Sequence, residues 1–157
     1  MIVQTVREII DAVKPVRTFY TLETMPWMVP DSADSYLELI RAIDRERFAV
    51  HLDVVNLICS PQHYFANAAL IRECVAKLGP QIKSCHAKDI TLADRLTVHL
   101  DEVRPGLGGL DYRTLLRELN GLDSDLPLML EHLPAEADYD QAASYVRSVA
   151  RELSVEL

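Results

Sequence analysis

The sequence predicts an α/β fold of parallel strand–helix units, and three observations predict it. Short runs rich in β-branched and aromatic residues alternate with stretches of helical apolar periodicity, after one opening helix. All four strand-like runs end on a carboxylate or an imidazole: Glu23, Asp53, His86 and Glu131. These positions are separated by 30, 33 and 45 residues, in keeping with the roughly 30 residues or more of a βαβ repeat. In parallel α/β folds the carboxyl ends of the strands form the edge where ligands bind.

Val6, Ile9, Ile10 and Val13 follow the i, i+3, i+4, i+7 spacing of an amphipathic helix, which Pro15 ends. Thr18 to Glu23 reads as the first strand. Pro26 and Pro30 mark a loop, and Asp31 or Ser32 caps a helix striped by Tyr36, Leu39, Ile40 and Ile43. Phe48 to Asp53 is the second strand, and Asn56 to Gln62 are expected as a loop containing Pro61. Ala68, Ile71, Val75 and Leu78 stripe the next helix, which Gly79-Pro80 closes.

Gln81 to His86 is the third strand. Ile90 to Leu110 form a connection much longer than the usual handful of residues, and such connections are often functional. Asp111 caps a short helix carrying Leu115, Leu116 and Leu119, which Gly121 ends. Leu126 to Glu131 is the fourth strand, with Pro127 tolerable at its start. The last helix runs from about Asp138 to Leu153, with Ala142, Val146 and Val149 on one face.

Bulk properties narrow the function. The 157 residues suffice for one domain with a real core. A net charge of −8 and no Lys/Arg cluster argue against a nucleic-acid partner. Three cysteines, Cys59, Cys74 and Cys85, lack Cys-x-x-Cys spacing and form neither a disulfide framework nor a zinc ribbon. Small core residues in a reduced compartment are the expectation. Neither a signal peptide nor an apolar run of membrane length is visible, so a cytoplasmic protein is expected.

An Asp or Glu at one strand end is most often a cap or a solvated charge, and a lone histidine is most often a core residue. The same placement at all four strand ends points instead to one converging site. One nitrogen and three oxygens suit Mn²⁺, Mg²⁺, Co²⁺ or Zn²⁺ rather than a thiolate-preferring metal. Three close carboxylates raise one another's pKa unless a cation lies between them.

The motifs then become specific. Leu22-Glu23, His51-Leu-Asp53 followed by Asn56, His86-Ala-Lys-Asp89, the turn from Gly106 to Asp111, and Leu130-Glu131-His132 stand in order over nearly the whole chain. In these the sequence resembles the sugar phosphate isomerase/epimerase superfamily, the xylose-isomerase-like TIM barrels. The resemblance implies that Glu23, Asp53, His86 and Glu131 ligate a divalent metal ion, and that Glu23 and Glu131 also move protons. Many ketose epimerases of the superfamily carry a histidine three residues after the aspartate; here that position is Asn56.

A (β/α)₈ barrel takes roughly 250 residues. By the resemblance, this chain supplies strands five to eight, half of the barrel, as a single partial domain over residues 1–157. An isolated half leaves two parallel edge strands and an uncovered apolar face, which invite pairing. A homodimer, or association with a complementary half-barrel, is therefore expected.

Other residues keep two readings each. Trp27 and Met28 are an apolar wall of a substrate pocket or rim packing. Lys88 touches a substrate oxygen or pairs with Asp89. His99, Glu102 and Arg104, in the long connection, are candidate substrate contacts, as is Asn56. The Gly106, Gly108 and Gly109 cluster either brings amides to a phosphate or serves a tight turn. His132 is expected on the opposite face from Glu131. The function expected from the resemblance is a metal-dependent isomerase or epimerase of a small sugar, ketose or inosose, working through an enediolate. The alternatives are a catalytically silent metal-binding half-barrel and an inosose-dehydratase-like lyase.

Overall fold

The computed structural model describes residues 1–157. Helix α1 (Ile2–Val13) leads into β1 (Tyr20–Glu23), α2 (Ala33–Ile43), β2 (Phe48–Leu52), the short α3 (Pro61–Phe65) and α4 (Asn67–Leu78). Then come β3 (Ile82–His86), β4 (Asp89–Leu92), β5 (Leu100–Val103), α5 (Tyr112–Asn120), β6 (Leu128–Met129) and α6 (Glu136–Leu153). β1, β2, β3 and β6 pair in that order, all parallel, and β4 and β5 form a separate antiparallel hairpin. The helices lie side by side along one face of the sheet, α1 against α2, α2 against α4, α4 against α5 and α5 against α6.

Strand alternation sorts the side chains. Phe48, Val50 and Leu52 are buried in the core beneath the helices, and Ala49 and His51 therefore face the opposite, concave side. Tyr36 of α2 fastens this layer, since its fully buried hydroxyl accepts the Leu22 amide and shares its one proton between the Leu22 and Ala49 carbonyls. At α2, Ser32 and Ser35 form a reciprocal capping box.

β3 carries one extra residue relative to β2. Val50 pairs with Ile82, but His51 pairs with Ser84, so Lys83 is inserted as a bulge. Bulges re-aim side chains and are over-represented beside active sites. Ile82 and Cys85 thus turn towards the helices, while Ser84 and His86 join His51 on the concave side.

Several expectations are corrected. β1 starts at Tyr20 rather than Thr18, and β6 covers only two residues instead of Leu126 to Glu131. β6 is an edge strand, hydrogen-bonded on one side only, and Pro127 has no amide to extend a ladder. The expected loop at Pro61 opens α3, capped by the Ser60 hydroxyl. The α4 stripe uses buried Asn67 and Cys74, with Ala68 only half-buried. The long connection is built around the β4–β5 hairpin. The concave face is largely polar: beside Ala49 and Met129 it carries Thr21, His51 and Ser84. As expected, β1 and β6 are open parallel edges.

Candidate metal centre

Glu23 and His86 are the last residues of β1 and β3; Asp53 follows β2 by one residue and Glu131 follows β6 by two. One donor atom from each of the four lies within 4.8 Å of the others. His86 Nδ1 sits among them, 2.9 Å from Glu131 Oε1, 3.2 Å from Glu23 Oε1 and 3.4 Å from Asp53 Oδ2. Residues spread across more than a hundred positions meet because parallel strands all deliver their carboxyl ends to one edge.

Asp53 is fully buried. Thr24 holds it: the Thr24 hydroxyl donates to the Asp53 carbonyl at 2.7 Å and accepts the Asp53 amide at 2.9 Å. Asp53 Oδ1 accepts the Asn56 amide, and the Asn56 side chain donates to Glu23 Oε1, both at 3.1 Å. Asn56 thereby bridges two of the carboxylates.

Lys88 is 3 % exposed and reaches into the cluster. Its Nζ lies 2.5 Å from Glu131 Oε1, 2.8 Å from Asp53 Oδ2, 3.7 Å from Glu102 Oε2 and 3.9 Å from Glu23 Oε1. It does not pair with Asp89. The Asp89 carboxylate instead accepts four backbone amides, from Ile90, Gly106, Gly108 and Leu110. That collar settles the glycine cluster. The amides of Gly106 and Gly108 are committed to Asp89, and a side chain at Gly108 would run into the Asp89 carboxylate and the Ile90 carbonyl. The phosphate alternative fails on that geometry.

Charge within the cluster follows from burial and contact. Burial raises the Glu23 pKa, and the Asp53 charge raises it further. Burial also opposes ionisation of Asp53, but the hydrogen bonds from His86 and Lys88 outweigh it and the net shift is downward. Burial opposes protonation of His86, and here the surrounding Asp53, Glu131 and Glu23 carboxylates win, so its pKa is raised. For Lys88 the loss of hydration is likewise overcome by Asp53 and Glu131, and the ammonium is held charged.

The residues present fit a divalent cation. Three carboxylates and an imidazole converge, and Glu131 Oε1 is a buried oxygen without a properly directed hydrogen bond despite the short approaches of Lys88 and His86. Such an oxygen still has lone pairs to give to a metal. Glu23, Asp53, His86 and Glu131 are the residues that would hold one.

Of the six candidate substrate contacts, the structure brings three to the cluster: Asn56, Lys88 and Glu102. Trp27 is 77 % exposed and has no polar contact with the donors. The Arg104 guanidinium lies by the Pro105 carbonyl and, at 4.0 Å, by Asp138 of α6. His99 contributes its backbone carbonyl to the hairpin, accepting the Ala93 amide. His132 was expected on the face opposite Glu131. The strand stops earlier, His132 adopts φ 58°, and its ring lies 3.3 Å from Glu102 and 3.7 Å from Glu131.

Two contributors escaped sequence reasoning, Thr24 and Ser84; a third, His51, stands in the His51-Leu-Asp53 motif, and its spacing of two residues before Asp53 puts it on the same side of the strand. His51 Nδ1 contacts the Ser84 hydroxyl at 2.5 Å, and its Nε2 lies 3.1–3.2 Å from the His86 ring nitrogens. His51 and Glu23 form with His86 a second possible set of three donors. Burial lowers the His51 pKa, and the neighbouring His86 lowers it further. Nothing local in the sequence marked Thr24 or Ser84.

No curated protein matches the sequence. Solved structures do match over almost all of it. A xylose isomerase domain protein from Planctomyces limnophilus superposes with a TM-score of 0.75 at 22 % identity, over 97 % of this chain and 52 % of its own. The probable 3-DHS dehydratase AsbF from Bacillus anthracis gives 0.71 at 21 %, over 94 % and 55 %. A D-tagatose 3-epimerase-like protein gives 0.71 at 18 %, over 97 % and 54 %. The chain thus spans about half the length of these structures. Such identities establish a shared fold, and the family follows from the sequence model for xylose isomerase-like TIM barrels, which matches residues 1–149. The chain belongs to the xylose isomerase-like TIM barrel family.

Proposed function

We propose that this chain carries the metal-binding half of an isomerase or epimerase that acts on a small sugar, ketose or inosose through an enediolate. The observation that supports this most is the convergence of Glu23, Asp53, His86 and Glu131 at one strand edge. A divalent ion held there supplies Lewis-acid polarisation of a carbonyl and its neighbouring hydroxyl. Either glutamate then removes the proton next to the carbonyl, and the other returns one. Return at the same carbon from the opposite face is epimerisation. Burial and the neighbouring Asp53 charge raise the Glu23 pKa above the ordinary carboxylate value in the metal-free cluster. Asn56 orients Glu23 through its side-chain amide, and Glu102 lines the approach.

The reaction needs the other wall of the barrel. In our reading the open edges of β1 and β6 are covered by a second copy of this chain, with a complementary half-barrel as the other source. Sedimentation at micromolar concentration tests this: a well-folded monomer would rule out the homodimer.

The chemical reading is tested by elemental analysis followed by solvent deuterium exchange into a panel of ketoses and inososes. Exchange should require a divalent metal and should fall by about 10²–10⁴-fold in Glu131→Gln, the usual contribution of a general acid or base. Exchange retained in that variant would sink the role of Glu131. Metal binding without turnover would favour a silent half-barrel. The likeness to a probable dehydratase favours a lyase as the second reading, and loss of water from an inosose would select it.

A further inference from the structure

We propose that Lys88 is the resident cation of this site: its ammonium occupies the oxygens of Asp53 and Glu131 while no divalent ion is bound and leaves them when one binds. This rests on the reading that Glu23, Asp53, His86 and Glu131 form a metal centre.

The geometry points to exchange rather than coexistence. Lys88 Nζ contacts Asp53 Oδ2 and Glu131 Oε1. These are the same two oxygens that face His86 Nδ1, and so the same two that an ion among the four donors would take. An ammonium and a divalent ion on one pair of oxygens are like charges a few ångströms apart in a partly dehydrated site, where repulsion is poorly screened. The reverse also holds. Glu23, Asp53, Glu131 and Glu102 place four carboxylates around the pocket, and Lys88 is the one lysine or arginine whose charge lies within 4 Å of them. Removing a metal from such a cluster without a substitute would leave repelling carboxylates buried together.

The way out is also present. Glu102 Oε2 already lies 3.7 Å from Nζ, on a side chain 35 % exposed, so a turn of the flexible lysine stem exchanges the inner carboxylates for an outer one. The backbone need not follow. The Lys88 carbonyl is fixed by the Tyr112 hydroxyl at 2.7 Å, and the next residue, Asp89, is held by its collar of amides. The swing is confined to one side chain.

The test is amine labelling of the full chain by reductive methylation, with and without Mn²⁺, read lysine by lysine by mass spectrometry. Exposed Lys14 is the internal standard. Lys88 should be protected without metal, and its labelling should rise severalfold with Mn²⁺ while Lys14 stays constant. In calorimetry, K88M should bind Mn²⁺ more tightly than the unaltered chain, because the competing cation is gone. If Mn²⁺ binds but Lys88 stays protected, or if K88M binds Mn²⁺ no more tightly, exchange is wrong and the metal centre stands. If neither protein binds Mn²⁺, the metal reading falls and exchange falls with it. Should K88M fail to fold, labelling of the unaltered chain still decides.

Discussion

Thr24 and Asp53 are joined by two hydrogen bonds through a single hydroxyl, which donates to the Asp53 carbonyl and accepts the Asp53 amide. This clip ties the end of β1 to the end of β2 where the sheet ladder stops, and it sets the height at which the Asp53 carboxylate meets Glu23 and His86.

Thr24→Val keeps the shape and removes both bonds. Each buried backbone group left unpaired costs about 1–3 kcal/mol, so a loss of roughly 2–6 kcal/mol is expected in urea unfolding. Metal affinity measured by calorimetry should fall as well. Unchanged stability would mean that water replaces the hydroxyl at no cost.

Asp89 should matter more for folding than for chemistry. Its carboxylate gathers four amides of the loop that follows the β4–β5 hairpin, and bonds to a charged group are worth about 1.5–3 kcal/mol each. Asp89→Ala should destabilise by several kcal/mol, a large part of a typical total of about 5–15 kcal/mol. Gly108→Ala should act in the same direction through the clash with that carboxylate. Circular dichroism melts check both.

Acid should loosen α5 through its cap. Burial pushes the Asp111 pKa up, but hydrogen bonds from the Thr114 amide and hydroxyl outweigh it, and the net shift is below the ordinary 3.8. A depressed carboxyl stabilises the fold above its unfolded-state pKa. That stabilisation is lost as pH falls from about 4 through the lower folded-state value. Asp111→Asn should therefore flatten the dependence of unfolding free energy on pH below about 4. An equally steep acid transition in the variant would refute this.

Thiol reactivity should split by burial. Cys59 is exposed, while Cys74 and Cys85 are buried. Burial pushes the Cys74 thiol up to about 12 and raises Cys85 as well. Titration with an aromatic disulfide should find one prompt thiol in the folded protein and all three in denaturant. Two prompt thiols would contradict the packing beneath the helices.

The sequence by itself determined the strand–helix order and the strand-end positions of Glu23, Asp53, His86 and Glu131. Runs of β-branched and aromatic residues, helical apolar periodicity and the spacing of strand–helix units are local properties of the chain, and all survive in the fold. The core cysteines Cys74 and Cys85 were legible, because a cysteine without a ligand-like spacing is most often a buried apolar residue, but Cys59, read the same way, is exposed.

Only the tertiary structure decided how the site is wired. The bulge at Lys83 shows itself solely as a register shift against β2. The early end of β6 appears only in its short pairing with β3, and with it the turn of His132 back towards Glu102. Adjacent in sequence, Lys88 and Asp89 part company, one to the donor cluster and the other to a collar of amides. A charged side chain settles where its counter-charges and hydrogen-bond partners lie. For Lys88 the short contacts are Asp53 and Glu131, dozens of positions away on other strands, so no local pattern encodes the choice.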